Sequence, residues 1–209
     1  MATTLTRLFD SHTQALDADS DLEAAGVRSD DISIVSNNAD NWHADHKHPE
    51  KNLSDDSRGE IAEGAGKGAA TGGVLGGGAG ALAGLGMLAI PGLGPVVAAG
   101  WLASTAVGAA VGAAAGGATG GILGALKDAG HSDEEAHVYA EGVRRGGTLV
   151  SVKTDEGDAS RLQAILDGRR GYDAATRGAA YRETGWSGFD AGAPAYTTDQ
   201  IEQERARYR

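Results

Sequence analysis

The amino-acid sequence predicts an α/β chain of α+β-like character: a small three-stranded sheet with flanking helices, interrupted by a long glycine-zipper antiparallel helical hairpin. Three observations carry this reading. Short β-branched runs near both ends of the chain alternate with helix-start signals. Glycine supplies 34 of 209 residues, roughly twice its usual share. Most of that glycine lies in the middle of the chain, where twelve glycines fall on a four-residue step.

Residues 1–37 read as the first half of the α/β domain. Thr3 to Phe9 is β-branched and apolar, as a strand requires. Ser11-His12-Thr13-Gln14 has the hydroxyl and amide of a capping box, so a helix is expected from there to about Ala25, stopped by Gly26. Asp31 to Ser36 is a second strand, and the β-α-β order favours a parallel, right-handed crossover. Residues 38–59 are polar and form a solvated linker. Residues 60–127 hold the glycine-rich hairpin.

Residues 128–171 read as the second half. Ser132-Asp133-Glu134-Glu135 is another capping box, opening a helix to about Arg145 that Gly146-Gly147 ends. Thr148 to Lys153 is a third strand, and Asp158 to Gly168 is a helix with Leu162, Ile165 and Leu166 on one face. Neither half has the apolar residues to stand alone, so the two are expected to pair across the insertion. Residues 172–209 form an irregular tail in which Tyr172, Tyr181, Trp186, Phe189, Tyr196 and Tyr208 interleave with arginines. Such a mixture suits either an interface or a wrap over the chain's own apolar surface. A short last helix is expected from Thr197, where Gln200 completes the capping pattern.

The firmest signal is the glycine spacing. Gly64, Gly68, Gly72, Gly76, Gly80 and Gly84 are each four apart; after Pro91-Gly92-Leu93-Gly94-Pro95, Gly100, Ser104, Gly108, Gly112, Gly116, Gly120 and Gly124 resume the step. Residues four apart share a helix face, and a row of glycines lets a second backbone approach closely. Each glycine costs about 1 kcal/mol against alanine in an exposed helix. Packing must offset that cost, so these segments are expected as a helix-packing interface, with the Pro-Gly cluster as the turn.

Composition excludes several function classes. A net charge of −11 opposes nucleic-acid binding, and the absence of cysteine removes disulfides and thiolate metal sites. Residues 1–10 lack a secretory signal, so a cytoplasmic location is expected. Residues 68–90 and 95–126 carry no charge and are long enough to span a bilayer. Lys67 and Lys127 flank them, and Trp101 is placed to anchor at an interface. Inner-membrane association through lipid is therefore the alternative to a homo-oligomer.

Three stretches in this order resemble the general stress protein 17M-like group, also described as the heat-induced stress protein YflT domain family. They are Leu8-Phe9-Asp10-Ser11, the turn from Leu88 to Pro95, and Glu141-Gly142-Val143-Arg144-Arg145-Gly146-Gly147. The resemblance covers about residues 3–168, and Gly185 to Asp190 also looks like tails in this group. It implies a bacterial stress-linked protein without catalytic residues to carry over.

The chemical motifs are weak. Gly64-Ala65-Gly66-Lys67-Gly68-Ala69 loosely matches a dinucleotide fingerprint, but no strand precedes it, and Gly68 stands where a phosphate loop needs Ser or Thr. Gly185-Trp186-Ser187-Gly188 lacks the nucleophile-elbow spacing. His43, His46 and His48 could hold zinc or nickel through imidazole, yet their short spacing suits a solvated loop better. No catalytic residue and no cofactor are expected. The sequence thus points to a non-catalytic stress-response protein that self-associates through the hairpin. A membrane-inserted hairpin that binds or remodels lipid, and a metal buffer using the histidine loop, are the alternatives.

Overall fold

A computed structural model describes residues 2–39, 86–90, 92–102, 105 and 121–208. Five strands form one sheet: β1 (Ala2–Phe9), β2 (Ile32–Asn37), β3 (Gly86–Ile90), β4 (Gly94–Ala99) and β5 (Thr148–Asp155). Their order is β1-β5-β2-β4-β3 and every neighbouring pair is antiparallel. The described helices are α1 (His12–Ala24), α2 (Ile122–Asp128), α3 (Asp133–Arg144), α4 (Glu156–Gly168), α5 (Ala174–Glu183) and α6 (Thr198–Ala206).

The mixed α/β class holds, but the three-stranded sheet is corrected to five. The two added strands lie inside the segment assigned to the helical hairpin. The physical reason is visible in the spacing itself: no ladder glycine falls between residues 85 and 99. The apolar run there is bounded by turn residues, and length and period cannot separate a buried strand from a helix in such a run. Val96, Val97 and Ala98 of β4 are buried. Leu93 N–H donates to the Ile90 carbonyl at 3.0 Å, closing the turn between β3 and β4.

β1 and β2 do run parallel, as the β-α-β order predicts, but they are not neighbours. β5 lies between them and bonds to both. One face of the sheet carries Phe9, Ile32, Val150 and Val152 against Ala15, Ala18 and Leu22 of α1 and Leu162 and Leu166 of α4. The other face carries Leu8, Val35, Val96, Ala98 and Leu149 against α2, α3, α5 and the tail.

Local chemistry sets the helix ends. Ser132 and Glu135 form the expected capping box on α3, as do Thr197 and Gln200 on α6. Ser11 precedes α1 with an extended backbone but its side chain makes no cap hydrogen bond, so the capping box expected there is absent. Asp155 and Asp173 cap α4 and α5 instead.

The tail carries α5 in addition to the expected last helix α6, stays without helix or strand between them, and folds over its own domain. Tyr181 and Phe189 join the core, and Trp186 and Tyr208 pack on it. Arg177, 2% exposed, lies 4.0 Å from the Tyr172 ring centroid and 4.1 Å from that of Tyr208, and pairs with Asp10 at 2.8 Å. Glu141, 1% exposed, accepts from Arg145 Nε at 2.7 Å and Arg144 at 3.2 Å. Arg145 also donates to Glu204 of α6 at 2.7 Å and sits 4.2 Å from the Tyr181 centroid. Burial works against the Arg145 charge, but the bonds from Glu141 and Glu204 outweigh it and raise its pKa. Gly146 leaves the notch that Ile201 of α6 fills; a Cβ there would run into Ile201 Cγ2.

Candidate functional site

Two places in the described body bring chemically useful side chains together. The first is a buried line of hydroxyls and an imidazole. The β1–β5 register sets Thr6 opposite Ser151, with their Oγ atoms 2.9 Å apart. His131, between α2 and α3, places Nε2 2.7 Å from Thr6 Oγ1. Its Nδ1 faces Glu135 at 3.9 Å, and Tyr139 meets the ring edge-on while its hydroxyl donates to the Thr6 carbonyl.

The order of groups resembles a nucleophile, base and carboxylate. Exposure decides against that use: Thr6 is 1% and Ser151 0% exposed, so neither oxygen can meet a substrate. Burial lowers the His131 pKa, with Glu135 opposing, and the neutral ring serves as a partner for the Thr6 hydroxyl. The line joins β1, β5 and α3, as cross-strand hydroxyl pairs do in sheets.

The second place is an open groove of about 470 Å³. Its floor is Ile32 and Ile34 of β2 with Ala99, Gly100 and Trp101 at the end of β4; its rim is Asp19 and Glu23 of α1 with Ser29 and Asp30 of the following 3-10 turn. Asp19 and Glu23 stand one helical turn apart, where like charges repel. Burial, helped by the Glu23 charge, pushes the Asp19 carboxyl from 3.8 up to about 6. Glu23 accepts a hydrogen bond from Ser29 Oγ. Trp101 presents its ring to Lys153, whose Nζ is 4.1 Å from the centroid.

The raised Asp19 pKa has a definite sign. Between about pH 4 and pH 6 the folded chain keeps a proton that the unfolded chain has released, so stability falls as pH rises through this window and stays lower above it. Asp19→Asn should therefore stabilise the chain at pH 7.5 by about 1 kcal/mol, less than the full shift would give because the side chain is partly solvated. Urea unfolding should show no such gain at pH 3.5; an equal gain at both pH values would contradict this account.

Sequence reasoning did not find the groove, since its walls come from α1, β2 and β4. The i,i+4 pair of acids at positions 19 and 23 was its one available sign. Of the ladder, Gly124 lies in α2. Gly100 is a correction: it is not on a helix face but ends β4 with φ +83°, where a Cβ would run into the Ile32 carbonyl oxygen and lie 2.8 Å from Ser33 Cα. Gly64, Gly68, Gly72, Gly76, Gly80, Gly84, Ser104, Gly108, Gly112, Gly116 and Gly120 lie outside the described residues, as do His43, His46 and His48. Trp101, expected as a membrane anchor, lines the groove. Among the described residues no group of three or more ligating side chains could hold a metal, and no helix is long and apolar enough to cross a membrane.

No family model, curated protein or solved structure matches this chain.

Three stretches singled out in the sequence, Leu8 to Ser11, Leu88 to Pro95 and Glu141 to Gly147, adjoin in space. Leu8 fills the notch left by Gly142, where a Cβ would lie 2.7 Å from Leu8 Cδ1. Asn37 Nδ2 donates to the carbonyls of Leu93, at 3.3 Å, and Val143, at 3.0 Å. One end of the sheet thus gathers residues from all three.

Proposed function

We propose that this chain is a non-catalytic bacterial stress-response protein that self-associates in the cytoplasm through its glycine ladders. One observation carries the proposal. Gly86 and Ala98 are register partners in the β3–β4 hairpin, so the ladder preceding residue 86 and the ladder following residue 100 leave from adjacent strand ends. Antiparallel partners lie about 5 Å apart, so the two segments start close together, and rows of small residues are what let two helices approach closely. The α/β domain then acts as the base from which the two glycine-rich segments leave.

The inward packing of the arginine and aromatic tail supports the same reading, because it leaves assembly to the ladders. The meeting of the three motif stretches at one end of the sheet supports the stress-protein resemblance.

The test is the mass of the full-length protein, expressed in bacteria and fractionated without detergent and then with it. The proposal expects a defined multimer in the soluble fraction. Gly76→Leu and Gly112→Leu should each reduce it to smaller species by blocking close approach. A monomer of unchanged mass in wild type and both variants would overturn self-association, and recovery from membranes alone would replace it with the lipid-inserted hairpin.

A further inference from the structure

We infer that the groove between α1, β2 and the end of β4 is a binding site for a small aliphatic oligoamine. This inference is independent of the assembly proposed above. Three features of the groove specify the ligand: its size, its floor and its unbalanced charge.

A volume of about 470 Å³ is in the range of small-molecule sites. The floor is aliphatic and aromatic, from Ile32, Ile34, Ala99 and Trp101. The rim carries Asp19, Glu23 and Asp30, which form no ion pair among the described residues. A methylene chain matches the floor, and ammonium groups spaced along it match carboxylates that sit on two separate elements.

Among the described residues, the surrounding arginines are committed elsewhere. Arg28 pairs with Asp31, Arg161 with Asp158, and Arg169 with Asp21 and Asp17. Lys153 lies over Trp101, which also shows that this ring accepts an ammonium group. Elsewhere on the body carboxylates are paired routinely: Asp10 with Arg177, Asp133 with Lys127, Asp167 with Arg7 and Glu204 with Arg145. Among the described residues, the groove concentrates carboxylates beside apolar surface without an ion-pair partner.

That arrangement costs the free chain stability, since Asp19 is held partly buried next to Glu23. Strain of this kind collects at binding sites, where a ligand relieves it. A cation seated between the two carboxylates would remove their repulsion. The apolar floor selects against a hydrated metal ion, which would leave that surface uncovered.

The test uses the full chain and spermidine as probe, by calorimetry in about 0.1 M salt, where long-range attraction to an acidic protein is largely screened. Indole N–H resonances report the location in parallel, with Trp101 assigned through Trp101→Phe. The inference expects saturable binding, movement of the Trp101 resonance, and at least about tenfold weaker binding in Asp19→Asn/Glu23→Gln. The first substitution is expected to stabilise the fold, and urea unfolding of the double variant separates loss of binding from unfolding. The control Asp133→Asn/Glu134→Gln removes the same charge from α3 and should bind as wild type. Equal losses in both double variants, displacement of spermidine by magnesium at matched charge, or an unmoved Trp101 resonance would each overturn the site.

Discussion

Gly100→Val is expected to destabilise the folded monomer by about 3 kcal/mol. Two costs add. The residue sits at φ +83°, a region that a β-branched side chain enters only at about 1–3 kcal/mol. Its Cβ would also meet the Ile32 carbonyl and Ser33 Cα of the neighbouring strand. Those are backbone atoms, so relief requires moving β2, and overpacking of this kind costs about 1–3 kcal/mol more. Ser33 adds to the sensitivity, because its Oγ donates to the Ala99 carbonyl at 2.7 Å and accepts from Leu102 N–H at 3.2 Å. Equilibrium unfolding at low protein concentration measures the effect. The comparison with Gly112→Leu is informative: position 100 should change monomer stability, and position 112 should change assembly. If Gly100→Val left monomer stability within about 0.5 kcal/mol of wild type, the turn geometry assigned to this glycine would be wrong.

Glu141→Ala should cost about 3–5 kcal/mol, the usual result of removing one partner from a buried ion pair. Glu141 is 1% exposed and serves two arginines, of which Arg145 is 7% exposed. After the substitution Arg145 keeps Glu204 but loses its closest support on α3. The loss should also loosen α6, which Arg145 holds to the body. A double-mutant cycle with Arg145→Met checks the origin. Once the arginine charge is gone, deleting Glu141 should cost much less, giving strong coupling between the two positions. Additive losses would mean that Glu141 acts through packing alone.

Local signals were legible in the sequence, and long-range ones were not. Ser132 with Glu135, and Thr197 with Gln200, announced α3 and α6, because a capping box uses residues three apart. Ser11 and Gln14 show the same pattern without forming the bond, since pattern fixes the residues available but not the rotamers chosen. α5 was missed because Ala174 to Glu183 has little amphipathic contrast; Asp173 at its N-cap was the clue. β3 and β4 were missed because a short apolar run becomes a strand only when an open edge, here that of β2, is there to receive it. The groove and the Thr6–Ser151–His131 line join residues up to 145 apart, so neither could emerge from spacing.

The position of β5 has a consequence for synthesis. β5, the strand that joins β1 to β2, is the last of the described strands to be made, about 110 residues after β2 ends. β1 and β2 are not neighbours in this topology, so β1 must wait for residues 148–155 to leave the ribosome before it joins the β2-β4-β3 part of the sheet. At ordinary translation speeds that wait is on the order of 10 s. During it the apolar face of α1 and the whole glycine-rich segment emerge with no finished base beneath them. Nascent chains on one message then meet through those segments before any of them has a complete sheet, so under the proposed self-association assembly begins before folding ends.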